Sequence, residues 1–352
     1  MCELPIAMAS PCSARIARTA FAAQGNRMKD FVSSMVLFRS LGEHHDEAIP
    51  TAYVYLDFSP ELIARPKAHL PRHVQRRLLV HRVARWVVPP SAHLPPAMLR
   101  EGVVQFNKLA AWRLTAYDRV VLFDSDVFCR ADVSELFTLP GQLSHSDGGA
   151  SPLNGGVLVL RPSEVEYARM AATARRANFT YADRAGWEGA GMPANLRNQA
   201  AVDQGFLWYW FHLRHKFDGV LLPRERYNLY DRHTDLRRPL SPPVLPTCAI
   251  TSRATAATSQ HSHHETNASA VNSWPWVKLF HFTLCGKPGS HPTSAGARQT
   301  FRSHVCTTMR NEWEAYASAT FGAGWRAMLL EHAQEKVELG KVTSSGAETA
   351  RG

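Results

Sequence analysis

The sequence predicts an α/β fold, a mainly parallel mixed sheet with helices on both faces, and three observations carry that prediction. Short apolar runs such as Tyr53–Leu56 and Val120–Phe123 recur through the first two-thirds of the chain, each of a length suited to a buried strand. Longer stretches with apolar residues at helical spacing lie between them. Breakers and turn residues, among them Gly25-Asn26, Pro89-Pro90 and Pro162, punctuate the boundaries. Strands separated by helices of this length favour parallel pairing. In such sheets ligands bind beyond the carboxyl ends of the strands, so the residues just after each strand are the ones to inspect.

The elements follow in order. Thr19–Ala23 is a first strand, and Phe31, Met35, Phe38 and Leu41 then recur at helical spacing, with Leu37 widening the apolar face. Tyr53–Leu56 is a second strand. The stretch His73–Arg85 reads as a basic helix, and Trp86-Val87-Val88 as a third strand stopped by Pro89 and Pro90. A helix from about Asn107 to Thr115 leads into the strand Val120–Phe123. Gly155–Leu160 is another strand, ended by Pro162. Ser163 with Glu166 three residues later has the S-x-x-E pattern of a helix start. Val202–Leu213 is an aromatic-rich apolar helix, and order returns at Trp274–Phe282.

These elements imply one domain over residues 19–340, preceded by a poorly ordered leader at 1–18 and followed by a disordered tail at 341–352. Between about 234 and 273 Pro, Ser, Thr, Ala and His dominate and periodicity is lost, which predicts a flexible insertion. His261, His263 and His264 in it fit a solvated loop better than a metal site.

Composition narrows the function classes. The 352 residues carry a net charge of +10, which suits partners bearing phosphate. The basic residues are dispersed and form no block, so nucleic acid is not an expected partner. No apolar run is long enough to span a bilayer. The six cysteines include no C-x-x-C pair, which argues against a zinc site and fits a reducing compartment or one or two incidental disulfides. The expected location is cytoplasmic, with the Golgi lumen as the alternative if an N-terminal anchor lies outside this sequence.

The strand Val120–Phe123 runs directly into Asp124-Ser125-Asp126. In an extended segment residues i and i+2 point to the same side, so both carboxylates can face one ion. Hard divalent cations prefer oxygen ligands, and Mg²⁺ typically takes one or two carboxylates plus substrate phosphates. A lone D-x-D is weak evidence, because acidic turns are common.

Its surroundings sharpen it. The run from Phe106 through Asp126 resembles the core of the glycogenin-like glycosyltransferases of glycosyltransferase family 8, where F-x-K-L is followed by Y-D-R/K-V and then D-A/S-D. Asp132 and Ser134–Phe137 continue the match. Leu153–Ser163 resembles the family's F-N-S/G-G-V block, and Asp203-Gln204 its D-Q helix start. Pro223 through Asn228 is similar to the L-P-x-x-Y-N loop, and His281–Pro288 to the closing block that ends K-P-W. Five blocks in the family's order cover about Thr19 to Pro288, the insertion excluded. In the closing block Gly289 stands where the family usually has tryptophan, and Thr19–Asn26 is an imperfect version of the base-binding first strand.

The resemblance implies the GT-A fold, a Rossmann-like sheet, and retaining transfer of a hexosyl group from a UDP-sugar to an acceptor hydroxyl on a glycan, protein, inositol or lipid. The alternative is a catalytically inactive sugar-nucleotide-binding or interaction protein of the same fold. It implies Asp124, Asp126 and His281 as metal ligands, for Mn²⁺ rather than Mg²⁺ because an imidazole joins the carboxylates. Lys108, Ser125, Gly155, Gly156, Gly286 and Lys287 are then substrate-binding residues, and Asn154, Asp203 and Gln204 are the catalytic residues, lining the sugar and acceptor side. Taken singly, Lys108 also fits a solvated lysine, His281 a packed strand-end histidine and Asp203 a helix cap. A homodimer is an allowed assembly.

Overall fold

A computed structural model describes residues 18–25, 28–57, 63–83, 105–149, 151–176, 178–192, 199–229, 276–283, 285 and 304–327. Of the expected leader only Arg18 is among them, with its amide donating to Asp118 at 2.8 Å. The insertion, the tail and the Trp86–Val88 strand all lie outside the described residues.

Strand β1 (Thr19–Gln24) is followed by helix α1 (Met28–His44) and strand β2 (Thr51–Asp57). Two short helices, α2 (Ala64–Lys67) and α3 (Arg72–Arg77), lead into β3 (Leu78–Arg82). A 3₁₀ helix, Phe106–Arg113, precedes β4 (Arg119–Asp124), which turns at once into the short β5 (Val127–Cys129). After a second 3₁₀ helix (Ser134–Thr138) come β6 (Leu143–Ser146), β7 (Asn154–Leu160) and α4 (Glu164–Arg176). The hairpin β8 (Phe179–Thr180) and β9 (Gly186–Trp187) precedes α5 (Asp203–Trp208), which continues as a π-helical turn through Arg214. Strand β10 (Leu221–Leu222), helix α6 (Arg224–Tyr227), β11 (Leu279–His281) and helix α7 (His304–Phe321) follow.

Seven strands form one mixed sheet in the order β10-β6-β7-β4-β1-β2-β3. Four of its pairings are parallel (β1 with β2, β1 with β4, β2 with β3, β10 with β6), and β7 runs antiparallel to both neighbours. Because side chains alternate along a strand, each central strand feeds two cores. Phe21, Tyr53, Tyr55, Val121, Phe123 and Val157 pack under α1 and α7, against Phe31, Met35, Phe38 and Trp313. Ala20, Ala22, Val54, Leu122, Leu158 and Leu160 pack on the other face against Phe106, Trp112, Met170, Phe206 and Trp210. The expected mainly parallel mixed sheet with helices on both faces is therefore what forms. The Ser163 cap also forms, its hydroxyl accepting from the Glu166 amide at 3.2 Å.

Three local readings need correction. The basic helix expected at His73–Arg85 stops at Arg77, and the chain turns into β3, which pairs Leu78 with Tyr53 and Val80 with Tyr55. The open edge of β2 offers a full ladder of backbone hydrogen bonds, which outweighs local helical preference. The helix at Asn107–Thr115 is a 3₁₀ segment. The helix at Val202–Leu213 is α-helical only to Trp208, and Asp203 is its first helical residue, with Val202 at the N-cap.

Candidate functional site

Asp124 is the last residue of β4, and Ser125-Asp126 form a turn, so the two carboxylates converge through a bend and not through the extended segment expected. The third member arrives from far along the chain. Strand β11 pairs antiparallel with β5, placing His281 opposite Val127. The Phe282 amide then donates to the Asp126 carbonyl at 3.0 Å, locking the register beside the turn. His281 Nε2 lies 3.4 Å from Asp126 Oδ1 and 3.7 Å from Asp124 Oδ2. One ligand atom from each of the three residues falls within 4.8 Å of the others. Asp126 is buried, with 2% of its surface exposed. Two carboxylates held this close at a buried turn repel one another and are costly to desolvate unless a cation compensates them. The donor set, two carboxylates and an imidazole, fits a divalent transition-metal ion.

Lys108 stands beside this cluster, projected from the 3₁₀ helix. Its ammonium lies 2.8 Å from Asp124 Oδ1 and 3.1 Å from Asp203 Oδ2, and it donates to the Gly155 carbonyl at 3.1 Å. Burial works against its charge, but Asp124 and Asp203 outweigh that effect and hold its pKa above the ordinary lysine value. Asp203 is fully buried; burial pushes its carboxyl pKa up, with Lys108 opposing. Lys108 is thus an internal cation bridging two carboxylates, which removes the solvated-lysine reading.

The two glycines make room for the protein's own side chains. A Cβ on Gly155 would fall 2.8 Å from Lys108 Nζ, and one on Gly156 would fall 2.3 Å from His281 Nδ1. Asn154, at the start of β7, accepts from the Gly156 amide at 2.7 Å. Gln204 packs its side chain beside Gly155, and its buried Oε1 has no hydrogen-bond partner among the described residues. Ser125 is buried in the D-x-D turn. Asp124, Ser125, Asp126, Lys108, Asn154, Gly155, Gly156, Asp203, Gln204 and His281 are therefore neighbours. Gly286 and Lys287 lie outside the described residues.

Three further contributors, Asn228, Ser146 and Cys285, have no site role in the sequence reading. Asn228, fully buried, presents Oδ1 3.1 Å from His281 Nδ1 and donates from Nδ2 to Ser146 Oγ at 2.5 Å. It sits in the L-P-x-x-Y-N resemblance, which could have flagged it, but Ser146 belongs to no block. Cys285 pairs with Cys306 of α7 in a disulfide, tethering the segment just past His281.

No family model matches the chain. A galactosyltransferase LgtC, solved in complex with donor and acceptor sugar analogues, superposes with a TM-score of 0.50, covering 88% of this chain and 100% of that one at 14% identity. The fold is that of the GT-A glycosyltransferases. Within this GT-A chain, 68 residues (19% of it) are 38% identical to glycogenin-1 of Caenorhabditis elegans. A stretch of 58 residues (16%) is 38% identical to the Arabidopsis thaliana protein named UDP-glucuronate:xylan alpha-glucuronosyltransferase 5. The matched stretches span 16% and 10% of those relatives' own lengths. The glycogenin-like resemblance read from the sequence is borne out in these partial homologues and in the GT-A fold. No helix among the described residues is long and apolar enough to cross a membrane.

Proposed function

We propose that this chain is a retaining glycosyltransferase that moves a hexosyl group from a UDP-sugar to an acceptor hydroxyl, with Mn²⁺ held by Asp124, Asp126 and His281 and Mg²⁺ as the alternative cation. The observation that carries the reading is the convergence of those three side chains at the carboxyl end of β4, where sheets of this kind bind ligands. The cation, when bound, neutralises charge on the diphosphate leaving group.

The remaining roles belong to the chain's own residues. Lys108 keeps Asp124 and Asp203 in register and contributes positive potential beside the metal ligands. Gln204, with its buried side-chain oxygen, offers an acceptor to a sugar hydroxyl, and Asn154 borders the same space from β7. Gly155 and Gly156 preserve the clearance that Lys108 and His281 occupy. Ser125 lies between the two carboxylates, and Gly286 and Lys287 are assigned to the donor diphosphate by resemblance. Asp203 is engaged by Lys108, an arrangement that disfavours it as a nucleophile on the anomeric carbon. That favours a front-face route, in which a leaving phosphate oxygen takes the acceptor's proton. A covalent glycosyl adduct trapped on Asp203 would overturn it.

The test is release of UDP from a panel of UDP-glucose, UDP-galactose and UDP-glucuronate in the presence of Mn²⁺. The expected result is release from at least one donor, abolished by a chelator. UDP binding with no release from any donor would instead assign a catalytically inactive sugar-nucleotide-binding protein.

A further inference from the structure

We infer that Asn228 is a positioning residue for the metal centre, fixing the His281 tautomer whose Nε2 lone pair faces Asp124 and Asp126. The inference rests on the metal reading proposed above. A neutral imidazole carries one proton on two nitrogens, and a ring that ligates a cation through Nε2 must hold its proton on Nδ1. That proton needs an acceptor in a buried place, because an unpaired N–H there costs the full desolvation of the group. His281 is 3% exposed and Asn228 is fully buried. The Asn228 side-chain oxygen sits 3.1 Å from Nδ1, on the edge of the ring opposite the carboxylates.

The amide itself is oriented. Its Nδ2 donates to Ser146 Oγ at 2.5 Å, which turns Oδ1 toward the imidazole. With Nδ1 protonated, as ligation through Nε2 requires, reversing the amide would set two N–H groups against each other across the His281 contact. The backbone also holds Asn228 in place. The Asn228 amide donates to the Arg224 carbonyl at 2.9 Å, the Leu229 amide to Leu279 at 3.2 Å, and the His281 amide returns to Leu229 at 2.8 Å. Asn228 is thus one residue from a backbone bridge to the strand that carries its target. Gly156 completes the arrangement, since any side chain there would strike the ring at Nδ1. Groups that accept a hydrogen bond from a ligating histidine set its tautomer and raise its basicity, and losing one costs about 10–100-fold in metal affinity.

Two measurements test this. Calorimetric titration with Mn²⁺ compares the wild-type chain with Asp126→Ala, Asn228→Ala and Asn228→Asp, each first checked for folding by circular dichroism. Asn228→Ala should weaken Mn²⁺ by about 10–100-fold. Asn228→Asp should restore most of that loss, because a carboxylate keeps the acceptor and Ser146 can rotate to donate to its second oxygen. Long-range ¹H–¹⁵N NMR of the metal-free wild-type protein, with His281 assigned by its loss in His281→Gln, should show a proton on Nδ1. That readout needs no variant at position 228, so it decides the matter even if Asn228→Ala fails to fold. A ring without a proton on Nδ1, or wild-type Mn²⁺ affinity in Asn228→Ala while Asp126→Ala loses binding, overturns the role of Asn228 and leaves the metal reading standing. Equal Mn²⁺ binding by wild type and Asp126→Ala overturns the metal reading itself, and this inference with it.

Discussion

Lys108 shows how much one side chain carries here. The residue is 3% exposed, and its ammonium lies against two carboxylates and a carbonyl. Replacing it with methionine removes the cation and leaves Asp203 buried without its counter-charge. Breaking a buried pair from one side costs about 3–5 kcal/mol, so Lys108→Met should lower the urea midpoint by a corresponding amount; a midpoint equal to wild type would show that the pair is not structural. Asp126→Ala should behave oppositely. It removes a carboxylate from a site of like charges, so the fold should survive while metal-dependent UDP release is lost; unchanged release would exclude Asp126 as a ligand. Gly156→Ala tests a third kind of constraint. Its new methyl would fall on the His281 ring, and the expected outcome is weakened Mn²⁺ binding, measurable by calorimetry, with wild-type affinity as the contrary result.

At the scale of elements, the π-helical turn after α5 is fastened to β6 by two histidines. His145 donates from Nδ1 to the Ser146 carbonyl at 2.9 Å, so its Nε2 accepts from His212 Nε2–H at 2.8 Å. The accepting ring, His145, must be neutral for this contact. Burial lowers the pKa of each; for His212 burial and then the charge of His145 bring it from 6.5 to about 4. A base whose folded pKa is depressed is protonated first in the unfolded chain. Its stabilising contribution is therefore complete above pH 6.5 and is lost as pH falls toward 4. His212→Gln keeps a donor but cannot take a proton, so its melting temperature should fall less than wild type across that window. Parallel melting curves for the two proteins would remove the histidine pair as the cause. The same turn extends the helix that begins with Asp203 and Gln204, so its attachment to β6 bears on where those residues sit.

Across the chain, the site is assembled from five separated parts. The 3₁₀ helix supplies Lys108, the end of β4 and the turn after it Asp124 and Asp126, the start of β7 Asn154, Gly155 and Gly156, the start of α5 Asp203 and Gln204, and β11 His281. The disulfide between Cys285 and Cys306 spans 21 residues and ties the end of this assembly to α7, which packs on α1. A closed loop of that length stabilises by about 3 kcal/mol through the entropy of the unfolded chain. Reduction, or Cys306→Ser, should lower the melting temperature by several degrees; no shift on reduction would mean the bridge does not form in solution.

The alternating apolar patterns are legible in the amino-acid order, and with them the central strands, the two-sided sheet and the position of Asp124 and Asp126 at a strand's carboxyl end. Those features are local, since period and breakers read the same in any context. The motif blocks also named Lys108, Asn154, Asp203, Gln204 and His281 before their proximity was known. Tertiary structure alone decided the rest. Strand β3 exists because the edge of β2 was open to pair, against the helical look of its basic residues. Asn228 reaches His281 across 53 residues and Ser146 across 82, contacts no periodicity can encode. The D-x-D itself changed character, from two carboxylates on an extended strand to a buried turn closed by a histidine from β11. Strand pairing at long range made that difference, because it is the β5–β11 ladder that sets His281 beside the turn.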